Sequence, residues 1–264
     1  MEYNQLKTLF KDLCIQDKNT KRDVNFLIKD LPDMLSPYQK TKLNKQIKKL
    51  ILGTPLAYVM GYTEFLNCKI TVSEKTLIPR PETELLCDNI IKSYQKVSPK
   101  SLKILDLCSG SGCIGVSVQK ALNCTVNAVE IDDDAIKIIR KNAKINNAKI
   151  KIIKSDMFEK VKNQYDLIIS NPPYIKHTDI QLLNNSVKDF EPHLALDGGY
   201  DGLKFYKIIA EIAPKYLKEN GRIALEIGYN QANQIKKLLE KNFKDIKIKK
   251  DYFKLNRYIF AIRR

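Results

Sequence analysis

Lys103-Ile104-Leu105-Asp106-Leu107-Cys108-Ser109-Gly110-Ser111-Gly112 decides how this chain folds. Ile104, Leu105 and Leu107 have the apolar character of a buried strand, with Lys103 at its start and Asp106 where it ends. Gly110 and Gly112 then let the backbone approach a ligand and turn into a helix whose N-terminal N–H groups face it. That helix runs to about Leu122. Outward from it, Thr125 to Glu130 reads as a strand, followed by a helix from Asp132 or Asp133 to Asn146. Ile150 to Ile153, Tyr165 to Ile169 and Arg222 to Ile227 complete five parallel strands, the last fed by a helix from about Leu203 to Leu217, in which Pro214 predicts a kink or an early end. After a helix near Ala232 to Leu239, Asp245 to Lys249 and Arg257 to Ile262 form a closing strand pair. Alternating strand and helix behind a Gly-rich first turn predicts a doubly wound α/β fold.

The second chemical feature is Asn171-Pro172-Pro173-Tyr174. Proline donates to no ladder and pushes the residue before it into extended backbone, so the strand ends here in a stiff loop. Carboxyl ends of strands are where ligands bind in open α/β sheets. Asn171 offers an amide oxygen, Pro172 and Pro173 offer carbonyls, and Tyr174 offers a flat face. Such a loop suits a planar NH2 group, with two acceptors for its hydrogens and a ring against its plane. For Asn-Pro alone, a rigid turn after a buried strand is the simpler reading. All four residues, behind Ser170 and a nucleotide-type loop, favour a binding role.

Glu130, an acid at the end of the second strand, is placed to accept both hydroxyls of a ribose. Asp156-Met157-Phe158 fits an adenine pocket: Asp156 accepts from the exocyclic amine, and Met157 or Phe158 packs on the ring. With Gly115 the pattern G-x-G-x-x-G is literally present, so hydride transfer from a dinucleotide has to be weighed. Three features oppose it. There is no second mononucleotide-binding half, the C-terminal strand pair is antiparallel, and the Pro-Pro-Tyr loop would crowd a nicotinamide. S-adenosylmethionine fits best, with Asp106, Cys108, Ser109, Gly110, Ser111, Gly112, Glu130, Asp156, Met157 and Asn171 around it.

Residues 1–57 read as amphipathic helices, with Leu6, Phe10 and Leu13, then Phe26, Leu27 and Leu31, then Leu43, Ile47, Leu50 and Ile51 at helical spacing. Asp33 or Ser36 caps a start. From Tyr58 to Val72 the period changes to two, a β-hairpin turning near Leu66-Asn67. Next comes Ile78-Pro79-Arg80-Pro81-Glu82-Thr83-Glu84, a proline-stiffened charged segment that ends by capping a helix, with Thr83 or Glu82 near its start. Arg80 and Glu82 between prolines are expected to line the cleft. The expected division is a helical recognition domain at 1–57, a hairpin linker at 58–80 and a catalytic domain at 81–264.

With 44% hydrophobic and 29% charged residues over 264 positions, the composition is that of a soluble globular protein. No apolar run reaches membrane-spanning length and the first residues lack a secretory pattern, so a cytoplasmic protein without membrane association is expected. The net charge of +16 invites a nucleic-acid reading, and although the lysines are scattered, as in Ile246-Lys247-Ile248-Lys249, where they face solvent on a strand, an acidic or nucleic-acid-bearing partner is still expected. The six cysteines form no Cys-x-x-Cys pair and His177 and His193 stand far from them, so no metal site or disulfide framework is expected. Cys108 reads as a small apolar residue at a strand end.

These motifs resemble the HemK/PrmC family of class I methyltransferases, the peptide chain release factor N5-glutamine methyltransferases. The resemblance runs through Gly61 and Phe65, Leu77 to Glu84, Asp106 to Gly112, Ser170 to Ile175, Glu191-Pro192, Ala195-Leu196, Gly198-Gly199, Asp201-Gly202-Leu203, Glu226-Ile227-Gly228 and Gln231. Asn-Pro-Pro-Tyr alone is shared with adenine-N6 DNA methyltransferases; the I-P-R-P-E-T-E segment with a helical N-terminus is the specific signal. The resemblance implies a Rossmann-like, seven-stranded, mostly parallel sheet with a small N-terminal bundle and a connecting hairpin. It implies S-adenosylmethionine as donor and S-adenosylhomocysteine as product. The substrate it implies is the Gly-Gly-Gln glutamine of class I release factors, with nucleic acid not required. Asn171, Pro172 and Tyr174 would be catalytic, and these with Pro173, Arg80 and Glu82 would bind substrate. Cys108 departs from a common Gly, Glu130 from a frequent Asp, and Met157 stands where an aromatic can occur. The rivals are a nucleic-acid adenine methyltransferase, which would need a target-recognition domain, and a non-enzymatic basic binding module on the same fold.

Overall fold

The structure, a computed structural model, describes residues 17–29, 31, 34–95 and 101–264. Two compact units divide the chain. The first holds the described residues up to Gly61 together with Asn184–Phe190; the second holds Tyr62–Leu183 and Glu191–Arg264. The helical pattern around Leu6, Phe10 and Leu13, and the Asp33 cap, lie outside the described residues.

In the first unit, α1 (Lys18–Ile28) starts at Asp17, whose side chain accepts from the Thr20 N–H. Ser36 caps α2 (Pro37–Ile51) in a capping box: its hydroxyl accepts from Gln39 N at 3.2 Å and its own N–H donates to Gln39 Oε1 at 2.8 Å. The buried stripe is Val24, Ile28, Leu35, Leu43, Ile47, Leu50 and Val59. Phe26, expected on that stripe, is 45% exposed, because Val24 and Ile28 already fill the i, i+4 face. Tyr58, expected in the hairpin, lies in a short helix, α3 (Leu56–Met60), which follows Pro55 and ends where Gly61 adopts φ 79°.

The second unit opens with the hairpin β1 (Tyr62–Phe65) and β2 (Cys68–Thr71), turning at Leu66-Asn67. After α4 (Pro81–Tyr94) the alternation begins: β3 (Lys103–Leu107), α5 (Cys113–Leu122), β4 (Thr125–Glu130), α6 (Asp133–Ile145), β5 (Ile150–Lys154), β6 (Tyr165–Ser170), α7 (Lys204–Tyr216), β7 (Leu217–Glu226), α8 (Ala232–Leu239), β8 (Phe243–Lys250) and β9 (Asn256–Arg263). The edge of β2 is satisfied by α6. Asn142 exchanges two hydrogen bonds with the Thr71 backbone and Asn146 two with Lys69, so two side-chain amides stand in for a neighbouring strand.

The seven strands are ordered β5-β4-β3-β6-β7-β9-β8, with β3 to β7 mutually parallel and β9 and β8 antiparallel. From β3 the chain proceeds one way to β4 and β5, then crosses back to β6. The β3/β6 boundary is therefore the topological switch point. Leu105, Leu107, Ile168, Ile223 and Leu225 bury this centre completely. Pro214 does not shorten α7, which ends at Tyr216.

Candidate active site

Leu107 and Ser170 are register partners at the ends of β3 and β6, so Cys108 and Asn171 are the first residues beyond two adjacent strands. The Gly-rich loop and the Asn-Pro-Pro-Tyr loop consequently open on one cavity of about 450 Å³. That is the size of a small-molecule pocket.

Asp106 holds the Gly-rich loop from beneath. It is fully buried, its Oδ2 accepts from Gly115 N at 2.9 Å, and a Cβ on Gly115 would stand 2.9 Å from that oxygen. Only glycine permits this close helix–strand approach. Among the described residues Asp106 Oδ1 is buried with no partner, and burial pushes the carboxyl up to about 7. Asp106 and Gly112 are not on the cavity wall, whereas Cys108, Ser109, Gly110 and Ser111 are. Cys108 adopts φ 60°, the left-handed backbone that favours glycine, and its thiol meets Met157 Sδ at 3.5 Å. Burial raises that thiol far above its ordinary value, so it is no thiolate nucleophile.

Glu130 lies on the wall and is mostly occupied by backbone. Oε2 accepts from Gly110 N at 2.8 Å, and Oε1 from Ile131 N and Asp132 N at 2.8 and 3.0 Å. Burial raises its pKa while these three bonds oppose the rise. Asp156 and Met157 also line the cavity; Phe158 turns into the core and stacks on Tyr216 at 5.2 Å. A Gly-rich turn, an acid at the β4 end, and Asp156 beside an apolar thioether form a donor and acceptor set that fits an adenosine-bearing cofactor.

Of the Asn-Pro-Pro-Tyr residues, Asn171 and Pro173 line the cavity while Pro172 and Tyr174 do not. The Tyr174 ring packs against the core, and burial pushes its phenol up to about 12. Its carbonyl accepts from Gln231 Nε2 at 3.0 Å. The backbone behind the loop is clamped by Ile175 N to Leu196 O (3.0 Å) and Gly198 N to Ile175 O (2.8 Å). A Cβ on Gly198 would sit 2.8 Å from Tyr174 Cα, so the clamp needs a glycine there. Tyr174 thus anchors the loop rather than offering its face to the cavity.

The proline-rich segment also differs from expectation. Arg80 pairs with Glu191, a side chain only 1% exposed that also accepts from Ile78 N at 3.3 Å. Neither Arg80 nor Glu82 lines the cavity; Pro79 and Thr83 do. Thr83 caps nothing, because Arg80 is the N-cap and Pro81 the first helical residue. Its hydroxyl instead donates to Glu226 Oε2 at 2.7 Å and accepts from Asn171 Nδ2 at 3.2 Å. Sequence reasoning assigned no site role to Thr83, Glu226 or Glu191. The only available signal was their presence in segments that carry the family resemblance.

Residues 81–200 match the methyltransferase small domain family. A release factor glutamine methyltransferase of Lactococcus lactis subsp. lactis is 40% identical over 225 residues, covering 84% of this chain and 82% of that protein. One of Streptococcus pneumoniae is 34% identical over 275 residues, covering 98% of each. Among solved structures, a methyltransferase from Pyrococcus furiosus superposes with a TM-score of 0.58 at 18% identity, covering 86% of this chain and 98% of that one, and shows the same fold. On the strength of this similarity over most of its length, the chain belongs to the release factor glutamine methyltransferase family.

Proposed function

We propose that the protein transfers a methyl group from S-adenosylmethionine to the side-chain amide nitrogen (N5) of the glutamine in the Gly-Gly-Gln motif of peptide chain release factors, modulating translation termination. The observation that carries this reading is the meeting of Asn171 with the Gly-rich loop across one cavity. When bound, the cofactor supplies an electrophilic methyl on a sulfonium and leaves as S-adenosylhomocysteine. Glu130 would accept from the ribose, Asp156 from the adenine amine, and Met157 would pack on the ring, while Cys108 to Ser111 would bring the backbone close.

An amide nitrogen is a weak nucleophile because its lone pair is delocalised into the carbonyl. Asn171 Oδ1 holds the substrate NH2 by a hydrogen and favours its pyramidalisation, and Pro172, off the cavity wall, acts by stiffening the loop behind it. Holding reacting atoms within about 3–3.5 Å and stabilising developing positive charge supply most of the barrier reduction. No general base is needed before attack, since the alkylated nitrogen is acidic and releases its proton to water. Pro173 and Tyr174 fix the loop. Arg80 and Glu82 act through the segment they stiffen.

Residues 1–57 serve release-factor recognition in this reading, with 58–80 as the linker that contains the hairpin and 81–264 as the catalytic domain. Nucleic acid is not required, and the setting is the cytoplasm; among the described residues no helix is long and apolar enough to cross a membrane. The test is to incubate the protein with labelled S-adenosylmethionine and a release factor and locate the methyl by mass spectrometry. Label on the Gly-Gly-Gln glutamine supports the reading. Label on adenine in added nucleic acid, with none on the release factor, overturns it.

A further inference from the structure

Thr83, Asn171 and Glu226 are far apart in sequence and meet at one point. Thr83 is in the first turn of α4, Asn171 is the first residue beyond β6, and Glu226 ends the neighbouring strand β7. Asn171 Nδ2 donates to Thr83 Oγ1 at 3.2 Å, and Thr83 Oγ1 donates to Glu226 Oε2 at 2.7 Å. Thr83 and Glu226 are 3% and 1% exposed, and the Glu226 carbonyl is held by the Tyr206 hydroxyl at 2.8 Å.

The direction of this relay follows from proton counting. Above about pH 7 Glu226 is ionised and has no proton to give, whereas a threonine hydroxyl has one. Once that proton goes to Glu226, Thr83 presents only lone pairs to Asn171. The end of the Asn171 amide that meets Thr83 must then be its NH2, which leaves Oδ1 as the acceptor. Turned by 180° the amide has nearly the same shape and would offer two donors instead. A donor NH2 on the substrate could not be held by that orientation.

We infer that Thr83 and Glu226 are positioning residues that lock the Asn171 amide with its oxygen available to substrate, so that the site selects an NH2 donor. This rests on the role of Asn171 in the proposed reaction. A structural tie between α4 and β7 alone would be served as well by an apolar pair, since burying a carboxylate costs desolvation. The relay gives that carboxylate a purpose.

The test is steady-state methylation of a release factor by the intact protein well above pH 7, where Glu226 is ionised. The variants are Thr83→Val, Thr83→Ser, Glu226→Gln, Asn171→Ala and Thr83→Val/Asn171→Ala, with S-adenosylmethionine affinity measured by calorimetry. Thr83→Val should lower kcat on the order of 100-fold with cofactor affinity unchanged, the penalty of a misplaced reacting group. Thr83→Ser should restore most of the rate. Glu226→Gln, which can donate as well as accept, should lower kcat roughly tenfold. In the double variant the Thr83 substitution should add no further loss to Asn171→Ala, because Thr83 acts through that residue. Should Thr83→Val not fold, the same cycle is read from Glu226→Gln and Glu226→Gln/Asn171→Ala. Near-wild-type kcat in the relay variants, or losses that multiply in the double variant, overturn the inference while Asn171→Ala remains inactive. A fully active Asn171→Ala overturns the Asn171 assignment itself.

Discussion

The Ser170 hydroxyl donates to the Leu107 carbonyl at 2.6 Å, between the last residues of two adjacent parallel strands. Both residues are fully buried. This bond ties the strand ends from which the two loops leave, so the acceptor loop and the Gly-rich loop share one foundation at the switch point.

Ser170→Ala should therefore cost about 1 kcal/mol, the net worth of one buried hydrogen bond. In a chain of this length that lowers the melting temperature by about 2–4 °C. The same variant should weaken cofactor binding and turnover together, measured by calorimetry and initial rates. An unchanged melting temperature would show that the tie contributes nothing.

Asn171→Ala separates the loops' duties. Asn171 lines the cavity, but the Gly-rich backbone and Glu130 hold the cofactor in the proposed reading. Turnover should fall by about 10²–10³-fold, as for loss of one preorganised polar group, with S-adenosylmethionine affinity nearly intact.

Glu130→Ala should act in the opposite sense. The carboxylate receives three backbone N–H groups, from Gly110, Ile131 and Asp132. Its loss leaves them without their partner, costing roughly 1–3 kcal/mol of stability, and should weaken cofactor binding. Glu130→Gln keeps one oxygen and should recover part of the stability. Cofactor affinity that did not change in Glu130→Ala would remove this residue from the ribose site.

Gly115→Ala tests the packing beneath the loop. The added Cβ would lie 2.9 Å from Asp106 Oδ2 and 3.3 Å from Val126 Cγ1. Overpacking of this kind costs about 1–3 kcal/mol, measurable by chemical denaturation. Both contacts are to the β3–β4 core, so neither neighbour can swing into solvent. Stability equal to that of the wild type would mean that α5 moves away freely.

Local pattern made most of the catalytic sheet legible. Apolar runs such as Leu167 to Ile169, and Ile104 to Leu107 interrupted only by Asp106, read as buried strands, and Gly110, Gly112 and Asp132 mark helix starts in the sequence itself. Asn171 was readable because two prolines fix its backbone. What stayed hidden depends on partners distant in sequence. Arg80 looks like a cleft residue until Glu191, 111 residues later, pairs with it. Thr83 looks like a helix cap, since Thr caps locally and its partner Glu226 lies 143 residues away. Tyr174 looks like a stacking face until Gln231 and the segment around Gly198 draw it inward. Periodicity carries no signal for such pairings, because each residue's local preference is also satisfied by the wrong role.

Two buried acids set a pH dependence of stability. Burial raises Asp106 from 3.8 and Glu226 from 4.5, each to about 7. Around Glu226, the Thr83 bond and the charges of Arg257 and Arg80 oppose the rise, while Glu82 adds to it. Both acids hold a proton more tightly folded than unfolded. Their contribution to stability is therefore fully present below about pH 4 and lost as pH rises through about 7. Glu226→Gln carries no such proton, so its stability relative to wild type should climb between about pH 4.5 and 7, approaching 1.4 kcal/mol per pH unit. Asp106→Asn should do the same from about pH 4. The measurement is urea denaturation of wild type and each variant across that range, with the difference plotted against pH. Curves that stay parallel would mean that the carboxyl in question is not raised, and that it sits ionised in the core throughout.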